Sequence, residues 1–147
     1  MTFINLLAKV FKHKYVMAGA PAIIINSDKR ILLGKRDGKI GIYPNLWGLP
    51  GGMIEYGEDI GKAIKRELKE ELGVDSGIIK KSNNIYENLP NKECNIHTID
   101  IPYYCKIKGI PKPRDETSEV KWFEPSEIKK MKLAYSHKAI LKGEGLI

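Results

Sequence analysis

Glu67, Glu70 and Glu71 are acids where an ordinary helix would carry apolar side chains. A helix over residues 58–72 turns by about 100° per residue. It gathers Ile60, Ala63, Ile64, Leu68 and Leu72 into one apolar arc. Glu67 and Glu71 fall inside that arc and Glu70 at its edge. Lys62, Lys65, Arg66 and Lys69 fall on the opposite side, where they are poorly placed to neutralise the acids. Like charges three or four residues apart on a helix cost a few tenths of a kcal/mol per pair. Ionised carboxylates buried without a partner cost far more. A solvated surface explains most paired glutamates, but not a set segregated from its cations. A bound divalent cation explains it.

The stretch ahead of the helix suits the same chemistry. Trp47-Gly48-Leu49-Pro50-Gly51-Gly52 is a Pro-Gly-Gly turn between apolar runs, and glycines let a backbone group approach a ligand closely. Gly57-Glu58 then opens the helix, with Glu58 near its positive end. Carboxylates together with a backbone carbonyl are the hard oxygen donors that Mg²⁺ and Mn²⁺ prefer.

From Gly52 there follow five residues, Glu58, seven residues, and then Arg66-Glu67-Leu68-Lys69-Glu70-Glu71-Leu72-Gly73-Val74. This pattern over 52–74 resembles the Nudix box at each of its defining positions. Leu32-Leu33-Gly34-Lys35-Arg36 before it and Glu119-Val120-Lys121-Trp122-Phe123 after it extend the likeness. The resemblance implies an α/β fold of the Nudix type, an α/β/α sandwich with a mixed sheet between helices. It also implies Mg²⁺- or Mn²⁺-dependent hydrolysis of a nucleoside diphosphate linked to another moiety.

Carried over by position, Glu67, Glu70 and Glu71 are expected metal ligands, joined by the carbonyl of Gly51. Arg66 is expected to orient a glutamate through a charge-assisted hydrogen bond rather than touch substrate. Glu67 is expected to be the general base, and Glu70 to share in catalysis. Members of the family also use an acid beyond the box. Asp115, Glu116 and Glu119 cluster at a suitable distance, and Glu116 is selected ahead of Glu119. Arg36, Gly52 and Trp47 are expected at the substrate. Arg36 could equally form a salt bridge, and for Trp47 a buried anchor of the Pro-Gly-Gly loop is favoured over stacking on a base. His97 reads as structural, and His137 is given no role.

The short chain and the LLGKR…LWGLPGG run resemble the members that act on (deoxy)nucleoside triphosphates, including modified ones. ADP-ribose or a nucleotide sugar is the alternative. In parts of the family a proline near the position of Pro90 accompanies ADP-ribose cleavage. A catalytically silent nucleotide sensor is the rival from another class, and the intact acid set opposes it.

The remaining composition sets limits. With 147 residues and 42% apolar content, residues 1–147 are expected to form one domain with a real core. Nothing approaches the roughly 18 consecutive apolar residues of a membrane span. The two cysteines, Cys94 and Cys105, suggest neither a disulfide framework nor a metal site, so cytoplasmic residence is the expectation. A net charge of +7 is dispersed rather than interleaved with aromatics. Nucleic acid is therefore not the expected partner; a small nucleotide is, and a homodimer is compatible with the chain.

Periodicity places an amphipathic helix over 3–13, within an N-terminal segment 1–15. Strands are expected over 16–26, 31–36, 77–86, 97–107 and 120–123, and short helices over 125–130 and 135–141. Substrate specificity is expected to reside in loops 37–46 and 87–96.

Overall fold

The computed structural model describes residues 14–40 and 42–147, so the expected N-terminal helix lies outside the described residues. β1 (Val16–Ile24) is the strand around which the rest is arranged. Its apolar run is buried on both faces, as a central strand requires. Ala20, Ala22 and Ile24 face one cluster while Ile23 faces another. β2 (Ile31–Arg36) follows after a turn in which the Asn26 carboxamide oxygen accepts from the backbone of Asp28 and Arg30. Leu32 joins the first cluster and Ile31 and Leu33 the second, as the period of two demands.

The chain continues through β3 (Trp47–Gly48), β4 (Gly51–Met53), helix α1 (Ile60–Leu72), β5 (Asp75–Lys81), β6 (Tyr86–Asn88), β7 (His97–Asp100), β8 (Tyr103–Lys108) and β9 (Thr117–Phe123). Helices α2 (Pro125–Lys129) and α3 (His137–Gly143) complete it. The expected mixed sheet is present, and a second, smaller sheet accompanies it. A six-stranded one runs β5-β8-β1-β7-β6, with β4 paired to β1, and a three-stranded antiparallel one runs β3-β2-β9. β1 is parallel to both β7 and β8. The strand expected over 97–107 is therefore two, interrupted at Ile101-Pro102, where proline has no N–H to give a ladder. The strand expected over 77–86 is likewise β5 and β6.

Helices lie on both sides of the sheets, as the resemblance implies. Ile64, Leu68 and Leu72 of α1 pack on Ala20, Ala22, Ile24 and Leu32. Ile128, Ile140 and Leu141 of α2 and α3 pack on Ile23, Ile31, Leu33 and Phe123. α1 begins two residues later than expected, because Asp59 caps it by accepting from Lys62 N–H. It ends on Gly73 at φ 67°, the left-handed conformation that glycine adopts without strain. α3 also starts two residues late, since Tyr135 sits at φ 51° and cannot be helical. Among the described residues no helix is long and apolar enough to cross a membrane.

The end of α3 is pinned by Glu144. Its Oε1 accepts from Ser82 Oγ (2.6 Å), Asn84 Nδ2 (3.0 Å) and Tyr86 OH (2.9 Å), and its Oε2 from Tyr104 OH (2.7 Å). Burial raises this carboxyl, but the four donors outweigh it and bring it from 4.5 down to about 2. A depressed acid contributes stability above its unfolded value that disappears as pH falls through the folded one. Glu144→Gln is therefore expected to lower Tm at pH 7, with the gap narrowing below about pH 5 and closing only toward pH 2. A gap in thermal melts that stays constant over that range contradicts this.

Candidate active site

α1 turns its acids toward the Gly51–Gly52 strand, and the glycines make the approach feasible. A Cβ on Gly52 would stand 2.5 Å from Glu67 Cδ, so only a residue without a side chain fits beneath that carboxylate. Glu71 Oε2 accepts the Gly51 N–H at 3.0 Å. Glu67 and Glu71 are half-buried and Glu70 is exposed, which matches their expected places inside and at the edge of the apolar arc.

The arginine of the same helix does not match. Expected on the far face, Arg66 lies among the acids. Its Nε and Nη2 grip both oxygens of Glu58 at 2.8 and 3.0 Å, and its Nη1 reaches Glu67 at 2.7 Å and Glu70 at 3.3 Å. Nη2 also donates to the Met53 carbonyl at 3.3 Å. The long stem lets the head bend round the helix, and the planar fork then serves several oxygens at once. Glu58, expected at the helix terminus, precedes the cap and acts as the clamp on Arg66. Its hydrogen bond with Arg66 lowers the Glu58 carboxyl, and the same bond raises the guanidinium further.

The electrostatics of the acids differ. Burial raises the Glu67 carboxyl, opposed by Arg66. Burial pushes Glu71 up to about 8, opposed by the Gly51 N–H and reinforced by the charges of Glu67 and Glu116, while Arg36 pulls it back. Glu71 is thus close enough to feel both Glu67 and Glu116, with Arg36 the cation that acts on it.

These acids stand at one end of a cleft of about 310 Å³ between the two sheets. Arg36, Gly51, Gly52, Glu67, Glu71 and Glu116 all line it. Glu70 and Arg66 do not, so Arg66 acts through the acids it holds. Trp47, expected at the substrate, is also absent from the cleft. Its neighbour Gly48 lines it, and alternation along β3 sends the indole the other way, edge-on to Phe123 at 4.8 Å. Glu119 is bonded to Lys35 at 2.6 Å, His97 to Glu87 at 2.7 Å, and Pro90 is exposed outside the cleft.

Three cleft residues escaped the sequence reading. His137 Nδ1 accepts the Leu49 N–H at 2.9 Å, so the ring proton resides on Nε2. Burial, with the charge of Arg36, pulls this imidazole down to about 3 and keeps it neutral. Tyr135 packs on the Arg36 guanidinium, 5.3 Å from the ring centre, while Arg36 Nε donates to the Ile42 carbonyl at 2.7 Å. Asp100 is buried, and its Oδ2 accepts from Ser136 Oγ at 2.8 Å and Thr98 Oγ1 at 3.2 Å. Burial raises this carboxyl against those two bonds. Pattern alone flagged none of these, since His137 is one histidine in a polar tail and Asp100 one acid at a strand end.

A divalent cation suits the donor set at the acidic end. Glu67 and Glu71 are oxygen donors whose ionised forms burial disfavours, and a hard dication supplies what the cleft lacks. As they stand, no three His, Cys, Asp or Glu side chains among the described residues converge on one point for an ion. Arg66 instead draws Glu67 and Glu70 to itself.

Comparison with known proteins agrees with this arrangement. The NUDIX domain family model matches residues 16–142. The chain is 34% identical over 134 residues to an ADP-ribose pyrophosphatase of Methanocaldococcus jannaschii, covering 88% of this chain and 76% of that one. It is 28% identical over 130 residues to the nucleoside triphosphatase NudI of Salmonella typhimurium, covering 82% and 92%. Its fold is similar to the crystal structure of a MutT NUDIX hydrolase from Burkholderia pseudomallei, with TM-score 0.74 and 24% identity over 88% of this chain and 98% of that one. With Glu67 and Glu71 of its box lining the inter-sheet cleft and the family model spanning residues 16–142, the chain belongs to the Nudix hydrolase family.

Proposed function

We propose that this hydrolase cleaves the pyrophosphate of a nucleoside diphosphate linked to another moiety, with Mg²⁺ or Mn²⁺ held by Glu67, Glu70, Glu71 and the Gly51 carbonyl. The observation that carries this reading is the pair of half-buried acids, Glu67 and Glu71, raised by burial and facing the cleft beside the Gly51–Gly52 backbone. Such a cation would offset the charge of the pyrophosphate and acidify an attacking water. Glu67 takes the proton of that water as its oxygen attacks phosphorus and the bridging P–O bond breaks. Arg66 positions Glu67. Arg36, fixed by Ile42 and Tyr135, offers its charge to a phosphate oxygen, and Glu116 stands beside it on the neighbouring strand side, near enough to Glu71 to raise that carboxyl.

The similarity to an ADP-ribose pyrophosphatase over most of the chain puts ADP-ribose ahead of the nucleoside triphosphates favoured by the short chain and its flanking runs. The similarity to NudI keeps triphosphates as the second substrate class. Product analysis with Mg²⁺ across ADP-ribose, the eight common nucleoside triphosphates, dinucleoside polyphosphates and nucleotide sugars tests both. AMP plus ribose 5-phosphate is the expected principal outcome. Tight nucleotide binding with no turnover of any of them would identify a silent sensor instead.

Gly52→Ala offers a local check. Its methyl group would push the Glu67 carboxylate aside, and we expect kcat to drop by roughly 10²-fold, a typical consequence of misplacing a reacting group by about 1 Å. An unchanged circular dichroism spectrum would accompany it. An alanine variant as active as the parent contradicts the proposed placement of Glu67.

A further inference from the structure

The same cleft holds two polar atoms that the reaction does not use. Asp100 is 5% exposed, and Ser136 and Thr98 both donate to its Oδ2. Its Oδ1 accepts from no protein group among the described residues and lies against Gly19, where a Cβ would overlap it. Gly19 itself lines the cleft, so the missing side chain leaves that oxygen open to it. Beside Asp100 in space, Ser136 leads into His137, whose Nδ1 is occupied by the Leu49 N–H. The remaining Nε2–H is a fixed donor with no acceptor among the described residues. Met17, Met53 and Ile96 are apolar residues of the same lining.

We propose that Asp100 Oδ1 and His137 Nε2–H form a base-reading pair for a 6-aminopurine, with Oδ1 accepting from the exocyclic amino group and Nε2–H donating to a ring nitrogen. The carboxylate geometry makes the choice among bases. A guanine edge presents two parallel N–H groups that call for both oxygens of a carboxylate. Here Oδ2 already receives two hydroxyl donors, so one acceptor remains, which matches a single amino group. A 6-oxopurine would place a carbonyl oxygen against Oδ1, and two facing acceptors repel. This inference deepens the proposed function, since it names the base of the nucleotide bound in the same cleft.

Binding of AMP and IMP, which carry no pyrophosphate, separates the two claims. By titration calorimetry the wild-type chain should hold AMP at least roughly tenfold more tightly than IMP, the size of one charge-assisted hydrogen bond. In Asp100→Asn the carboxamide preserves shape, and its NH₂ replaces an acceptor facing the cleft. The AMP/IMP ratio should then fall to within about twofold of one or invert. Ser136→Ala should narrow it partly by freeing Asp100 to rotate, should Asp100→Asn fold poorly. His137→Asn, whose Oδ1 can still accept the Leu49 N–H, should weaken AMP binding severalfold without lowering Tm greatly. Equal wild-type affinities, tighter binding of GMP than AMP, or an Asp100→Asn ratio equal to the parent's would each overturn the proposal. Failure to hydrolyse any nucleotide would instead overturn the pyrophosphatase reading and leave the binding ratio readable.

Discussion

Replacing Glu67 by Gln is expected to reduce kcat by about 10³-fold with the fold intact, because a positioned general base contributes roughly 10²–10⁴. The carboxamide keeps the shape above Gly52 but cannot take a proton. In the proposed reaction Glu67 is the acid best placed for that task. It lines the cleft, burial makes it a better base than an exposed carboxylate, and Arg66 Nη1 at 2.7 Å fixes its direction. Glu70 differs on each count, being exposed, outside the cleft and bonded to Arg66 at 3.3 Å. Glu70→Gln is therefore expected to raise the Mg²⁺ concentration needed for half-maximal rate while sparing more of kcat. Single-turnover kinetics over a Mg²⁺ series separate the two. A Glu67→Gln variant retaining more than a tenth of the parent rate at saturating Mg²⁺ transfers the role to another acid, with Glu116 first in line.

What the sequence made legible was decided by periodicity and by local rules. α1 follows from its apolar arc, and the acids inside that arc are indeed the half-buried ones. Gly51 and Gly52 were readable as close-approach residues because a Pro-Gly-Gly turn ahead of a carboxylate helix leaves few other uses. The failures at the site are mostly of longer range. Arg66 was assigned by the angle of its Cα, but a side chain with so long a stem is not confined to that angle. An indole can stack on a base, but the strand places Gly48, not Trp47, toward the cleft. Asp100, Tyr135 and His137 arrive at the cleft from β7 and from the turn before α3. Nothing in their local sequence encodes that meeting, which depends on how the C-terminal segment packs across both sheets. The break at Ile101-Pro102 was local in origin, yet the apolar continuity of 97–107 hid it.

Leu68→Ala is expected to be the most destabilising of the simple substitutions near the site, by about 3 kcal/mol. Leu68 is fully buried between Ile64 and Leu72, against Ala20, Ala22 and Ile24 of β1. Truncating a buried leucine removes transfer energy and leaves a cavity, together costing about 2–5 kcal/mol. The alanines opposite are small and belong to a central strand paired on both sides, so the gap has little means of collapsing. For a chain of this size that loss corresponds to a Tm lower by roughly 10 °C. The site should register it too. Leu68 lies between Glu67 and the Glu70–Glu71 pair in sequence, and its packing sets the height of α1 above Gly51 and Gly52. A helix that settles or tilts into the cavity moves Glu67 and Glu71 relative to that backbone and strains the Gly51 N–H bond to Glu71. We therefore expect kcat to fall severalfold at temperatures well below the melt, where the variant is still folded. Leu68→Met, which nearly conserves volume, should restore most of both. Thermal melts and initial rates measured on the same preparations decide it. A Leu68→Ala variant that melts lower yet turns over at the parent rate would show that the carboxylates are positioned by Arg66 and Gly51 alone, independent of the core beneath them.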